Sequence, residues 1–276
     1  MKKLVCVGAC YVDTILDVPQ YPGEDSKLRA TNLQVRRGGN CPNTLQVLQQ
    51  LLRERERERE QQQQQQEHDD GRGRDFKPYL ISCLPSADAP ATATIMGSFG
   101  PESLVDFSRC IFREDHQQPA SSYIIRSEAT GSRTLVNYND LPEMTIAEFV
   151  VAVDEIGDNN EDNAWFHFEC IRHLRRSFPN ARVSVEVEKP GREGLEDLAA
   201  EADVVFYSRS WAESKRTVGA GDTFIAGMLF GLLCHDDDWD TEKKVQFAVQ
   251  LATCKVQRDG FDGLGSLGFG NLAPGK

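Results

Sequence analysis

Residues 217–224, TVGAGDTF, set two glycines and an aspartate where an apolar run begins. That run, residues 224–233, is long and apolar enough to form a buried helix. The first turn of a helix leaves backbone N–H groups unpaired and carries a positive partial charge. Gly219, Ala220 and Gly221 are bare of bulk, so those donors can close around an anion such as a phosphoryl group in transfer. Asp222 falls in the same turn, where a carboxylate can accept a proton from an attacking hydroxyl. The same residues also describe a glycine-rich turn with Asp222 as an ordinary cap.

A second constellation lies far upstream, at residues 37–43, RGGNCPN. Gly38 and Gly39 allow a tight turn and close backbone approach to a ligand. Pro42 suits the first position of a following helix. Asn40 and Asn43, three apart, share one helix face and offer amide donors and acceptors to a polyhydroxylated ligand. A helix cap followed by a polar surface position would leave the same pattern.

Taken in this order, the two motifs resemble those of the PfkB (ribokinase-like) carbohydrate kinases. Residues 4–8, Asp13, residues 21–26, 127–134, 183–190 and 260–263 follow collinearly, and they look like the ketohexokinase branch of that family. The resemblance implies an ATP-dependent sugar kinase that phosphorylates fructose at its 1-hydroxyl. It implies an anion hole at Gly219, Ala220 and Gly221, with Asp222 as the catalytic base. Asp13, Gly39, Asn40 and Asn43 would hold the sugar hydroxyls. Asp13 follows the first strand, at the carboxyl end where open α/β sheets place ligands; the alternative for it is a turn or capping aspartate. The implied cofactors are ATP and Mg²⁺, with K⁺ in the family pattern.

The elements that must position these residues read as strand, helix, strand, helix. Residues 174–178, 183–187 and 204–207 alternate as in a doubly wound, mainly parallel sheet. Helices follow at Asp222 and across residues 241–256. The resemblance assigns residues 25–37 and 121–139 to a small β-sheet lid over the sugar, through which a homodimer would form. The expected organisation is one kinase domain over residues 1–276. A dinucleotide-binding dehydrogenase does not fit, because the first strand ends in Gly8-Ala9-Cys10 with no GxGxxG opening a helix.

Composition narrows the partners. The net charge of −12 argues against general nucleic-acid or anionic-membrane binding. The chain has no apolar run of the roughly eighteen residues that a membrane span needs. Eight cysteines occur without CxxC or zinc-like spacing, which reads as free thiols in a reducing cytosol. Residues 53–60 alternate arginine and glutamate, then six glutamines and a polar run extend to about residue 75. This tract can prolong the preceding helix, but it lacks an apolar face and reads as a solvated low-complexity insertion.

The chain also departs from the family pattern. Arg216 stands where the family has an aspartate that helps arrange a monovalent-cation site, which argues against potassium activation. Only seven residues separate Trp211 from Gly219, and they span at most about 25 Å. They cannot contain the strands, helix and loop that line the ATP site in the family. A smaller gap falls at residues 168–170. The hypothesis is that coding segments are omitted at both places, or that the gene was misassembled there, and transcripts across residues 211–217 with no longer isoform would count against it. Glu186 and Glu188 are the acidic residues considered for a metal, and the metal ligands stay unassigned. The alternative to an active kinase is a sugar-binding or dimer-forming remnant without a complete ATP site.

Overall fold

Strand β1 (Lys2–Val7) ends in an uninterrupted buried apolar run, Leu4, Val5, Cys6 and Val7. Such runs belong to strands covered on both faces. In the computed structural model β1 does lie inside a sheet. The structure describes residues 2–63, 76–154, 156, 164–167, 180–187, 199–207, 219–258 and 260–266. The expected element at residues 174–178, the junction at 168–170 and the segment 211–218 lie outside these residues.

Strands β2 (Tyr11–Val18) and β3 (Asn32–Gly38) follow β1, then helix α1 (Asn40–Gln63) and strand β4 (Phe76–Ile81). Next come β5 (Cys83–Pro85), helix α2 (Pro90–Gly97), β6 (Ile111–Arg113), β7 (Ser121–Ser127) and β8 (Arg133–Tyr138). Helix α3 (Ile146–Asp154) precedes β9 (Ala164–His167), β10 (Arg182–Val187) and β11 (Val204–Tyr207). Helices α4 (Ala220–Cys234) and α5 (Thr241–Val256) complete the described elements.

The main sheet has five strands in the order β11-β10-β9-β1-β4, all paired in parallel. Side chains of β1 alternate between two cores, as the strand period of two requires. Leu4 and Cys6 join the cluster built with α1, α4 and α5, which includes Leu45, Leu48, Leu229, Phe230 and Phe247. Val5 and Val7 join the opposite cluster with Phe149 and Val153 of α3. Helices therefore cover both faces, and the ribokinase-like, doubly wound reading holds.

A second, four-stranded sheet has the order β3-β2-β7-β8. It is mixed, with β2 and β7 parallel and both outer pairs antiparallel. Strand β2 sits at its centre. Asp13 is therefore the third residue of a strand in this sheet, opposite Arg36 and Ser122, rather than a loop residue at the end of β1. Two further expectations change. Helix α1 begins at Asn40, so Pro42 is its third residue; that place is still tolerant because first-turn N–H groups have no helical partner. The arginine–glutamate tract also packs despite its lack of an apolar face. Arg55 Nη2 donates to the Cys234 carbonyl at 2.8 Å, where the C-terminus of α4 presents unpaired oxygens. Arg53 donates to the Glu102 carbonyl. Long arginine stems reach backbone acceptors that shorter polar groups would leave to water. No helix among the described residues is long and apolar enough to cross a membrane.

Helix α3 starts with a reciprocal cap. The Thr145 N–H donates to Glu148 Oε2 at 2.8 Å, and the Glu148 N–H donates to Thr145 Oγ1 at 3.2 Å. Arg113 donates to the same carboxylate from Nη1 and Nη2. Arg113 first, then Thr145, holds the Glu148 carboxyl down at about 2, below its ordinary 4.5. A depressed folded-state pKa stabilises the native state fully above the unfolded value, and that contribution fades as pH falls toward the folded value. Glu148→Gln should therefore lower Tm at pH 7 by about 2–4 °C, the group being partly exposed. The gap should narrow as pH drops from about 4.5 toward 2. Thermal melts of both proteins check this, and a gap independent of pH would refute the assignment.

Candidate active site

The carboxyl end of β1 and the first turn of α1 are built into one another. The Cys41 thiol donates to the Val7 carbonyl at 3.3 Å. Gly39 has φ of +106°, and a Cβ there would stand 2.2 Å from the Ala9 carbonyl oxygen. Only glycine satisfies both the left-handed backbone and the approach. This seats the start of α1 over the open end of the parallel sheet, where ligands of such sheets bind.

Helix α4 brings the second motif to the same place. Asn43 Nδ2 donates to Asp222 Oδ2 at 2.8 Å, and Thr44 Oγ1 donates to the Asp222 carbonyl at 3.2 Å. Asp222 and Asn43 are buried, at 6% and 5% exposure. Gly219 precedes the helix with φ of +84° and, as a glycine, brings no capping side chain of its own. The ring of Phe261 fills the space a Cβ at Gly219 would need, with Cζ 2.5 Å from it. Lys255 lies over that ring at 5.1 Å and donates to the Arg258 carbonyl at 3.1 Å. Gly221 is exposed. The arrangement is a carboxylate beside first-turn amides that can meet an anion, under a buried ammonium group.

Asp13 reaches the site from the second sheet. Its carboxylate lies against the α-carbon of Gly38, where a Cβ would be 2.4 Å from Oδ1. Burial pushes its carboxyl above the ordinary range, opposed by a Ser122 hydrogen bond and by Arg36, Arg37 and Arg133. Asn40 Nδ2 donates to Glu186 Oε2 on β10 at 3.2 Å. Asn40 and Asn43 thus share a helix but serve different neighbours. Glu188 lies outside the described residues, and no group of three or more His, Cys, Asp or Glu that could hold a metal occurs among the described residues.

Sequence reasoning passed over Arg37 and Lys255. Arg37 is 7% exposed, and burial pulls its guanidinium down to about 10. It stays cationic near neutral pH, within electrostatic reach of Asp222 and Asp13. A signal existed, because Arg36 and Arg37 are adjacent on a strand and must point to opposite faces. With Arg36 on the Asp13 face, Arg37 had to turn toward α1. For Lys255 the only signal was a lysine in the last turn of α5.

The sequence pattern of the pfkB family carbohydrate kinases matches residues 187–263, which include α4 and Phe261. The chain is 26% identical to the ketohexokinase of Mus musculus over 343 aligned positions, covering 95% of this chain and 99% of the relative. Among solved structures, the ribokinase of Giardia lamblia superposes with a TM-score of 0.64 at 12% identity, over 95% of each chain. An Arabidopsis thaliana ribokinase complexed with ribose and ATP gives 0.58 at 14% identity, over 94% of each chain. These two share the fold, and the family match covers the helix that carries Asp222. Over that segment the chain is similar to the pfkB family carbohydrate kinases, and along its length to a ketohexokinase.

Proposed function

We propose that this kinase transfers the γ-phosphoryl group of ATP, in the presence of Mg²⁺, to a sugar hydroxyl, and that the acceptor is the 1-hydroxyl of fructose. The observation that carries the proposal is the Asp222 carboxylate, held by Asn43 in the first turn of a helix whose cap residue, Gly219, has no side chain. The mouse ketohexokinase relative supports the choice of sugar. The ribokinase solved with ribose and ATP supports the choice of donor. First-turn amides and the buried Lys255 suit a phosphate. A divalent cation would be held mainly by phosphate and water rather than by a protein cage.

ATP supplies the transferable phosphoryl group when bound. Asp222 takes the proton of the acceptor hydroxyl. Amides of Gly219, Ala220 and Gly221 face the charge that develops on the phosphoryl oxygens. Asp13, Gly39, Asn40 and Asn43 orient the sugar, Asn43 with the N–H that Asp222 leaves unused. Potassium is left out of the proposal because Arg216 stands in place of the family's aspartate. ADP release by the purified chain should require both fructose and ATP with Mg²⁺. A folded protein without turnover would overturn the reading.

A second reading has its own support. The alignment to ketohexokinase runs to 343 positions, longer than this chain of 276 residues. Part of the relative therefore has no counterpart here, which fits an omitted segment before Gly219. In that reading the chain binds sugar without using ATP. A non-hydrolysable ATP analogue would then leave the melting temperature unmoved, whereas a competent kinase should be stabilised by it.

The second sheet offers a surface for a second copy of the chain. Val35, Tyr123 and Val136 stand on one cross-strand row and are more than half exposed, with Leu33 and Tyr138 on the same face. An apolar patch of this kind is characteristic of an interface. Val136→Glu should shift a dimer toward monomer in sedimentation velocity, and an unchanged sedimentation coefficient would refute the dimer. The cysteines described are all free, in keeping with a reducing, cytosolic setting.

A further inference from the structure

Arg37 uses all three of its guanidinium nitrogens. Nε donates to Ser98 Oγ at 2.9 Å, Nη1 to Asn43 Oδ1 at 3.0 Å, and Nη2 to Gln46 Oε1. Its face lies 4.6 Å from the centre of the Phe99 ring. The side chain is therefore locked by packing and by three acceptors, and it lies beside the base without touching it.

An arginine has donors and no acceptor, whereas a carboxamide has one end of each kind. The group facing Arg37 must be the Asn43 oxygen, so the Asn43 NH₂ must face Asp222. That is the orientation found, with Nδ2 at 2.8 Å from Asp222 Oδ2. A fixed donor favours the ionised carboxylate, since a protonated oxygen would set two donors against each other. We infer that Arg37 is a positioning residue that locks the Asn43 amide in the one orientation that keeps Asp222 ionised and aimed as a base. This rests on the reading of Asp222 as the base. Without Arg37 the amide is free to turn over and present its oxygen to Asp222, which favours the protonated acid.

Other titratable groups lie near this pair. Asp13 on β2 and the buried Cys10 thiol after β1 are electrostatic neighbours of Arg37. Lys255 on α5 packs at Gly219. The Asn43 amide oxygen accepts from Arg37 Nη1.

The test uses the full chain labelled with ¹³C at the aspartate carboxyls, with Asp222→Asn to assign the resonance. In Arg37→Met and Arg37→Gln the Asp222 titration should move up by about one pH unit. Arg37→Lys, which also has donors only, should lie nearer to wild type. Methionine keeps the packing on Phe99, so a merely structural role would leave the titration unmoved; glutamine serves if methionine prevents folding. An unmoved Asp222 in either folded variant overturns the inference, and so does a lysine variant shifted as far as methionine. Turnover is a separate readout. The acid limb of kcat should move up with the titration, and kcat near neutral pH should fall about tenfold with sugar KM little changed. A wild-type chain without turnover would defeat the kinase proposal, while the titration would still decide the role of Arg37.

Discussion

Asp222→Asn should lower kcat by about 10²–10⁴-fold, the range for loss of a general base, and leave sugar KM within about twofold. The substitution is close to isosteric. The amide oxygen of asparagine can still accept from Asn43 Nδ2 along the present 2.8 Å contact. The Thr44 hydroxyl bonds the main-chain carbonyl of residue 222, which does not change. The start of α4 should therefore stay in place, and the lost property is the ability to take a proton. If Asp222 only capped the helix, the variant would melt close to wild type and turn over normally, since asparagine caps as well as aspartate. Steady-state kinetics with circular dichroism melts separate the outcomes. Undiminished kcat in a folded variant would remove Asp222 from the mechanism.

The fold was legible because its signals are local or periodic. The apolar run of β1 and the glycine-led helix α4 are written in consecutive letters. Long-range matches were harder. Asn43 and Asp222 are 179 residues apart and meet only because α1 packs against α4. Spacing on α1 paired Asn40 with Asn43, yet one bonds Glu186 and the other Asp222. Helical periodicity shows that two side chains share a face, but it does not show where that face passes from open cleft to closed core. Arg37 was hidden for a related reason. Composition counts a buried guanidinium as a surface charge, and only the acceptors around it reveal otherwise. The arginine–glutamate tract misled in the same way, through carbonyl acceptors at Glu102 and Cys234 that its own letters do not contain.

The position that joins the two halves of the site gives the second large effect. Gly39→Ala should destabilise the protein by about 2–5 kcal/mol, combining roughly 1–2 for an alanine in the left-handed region with 1–3 for overpacking. The clash is with backbone, because the new methyl would stand 2.2 Å from the Ala9 carbonyl oxygen. A flexible side chain could turn aside; the peptide after β1 cannot move without shifting the first turn of α1. Gly100→Ala isolates the strain component, since φ there is +90° and nothing lies within 4 Å of the added methyl. That variant should lose only about 1–2 kcal/mol. Denaturant titrations of both should show the larger fall in midpoint at Gly39. Sugar KM should rise only for Gly39→Ala, because displacement of α1 carries Asn40 and Asn43 with it. Equal losses at the two positions would mean that the loop after β1 yields freely, and that the site does not depend on the close approach of Gly39 to Ala9.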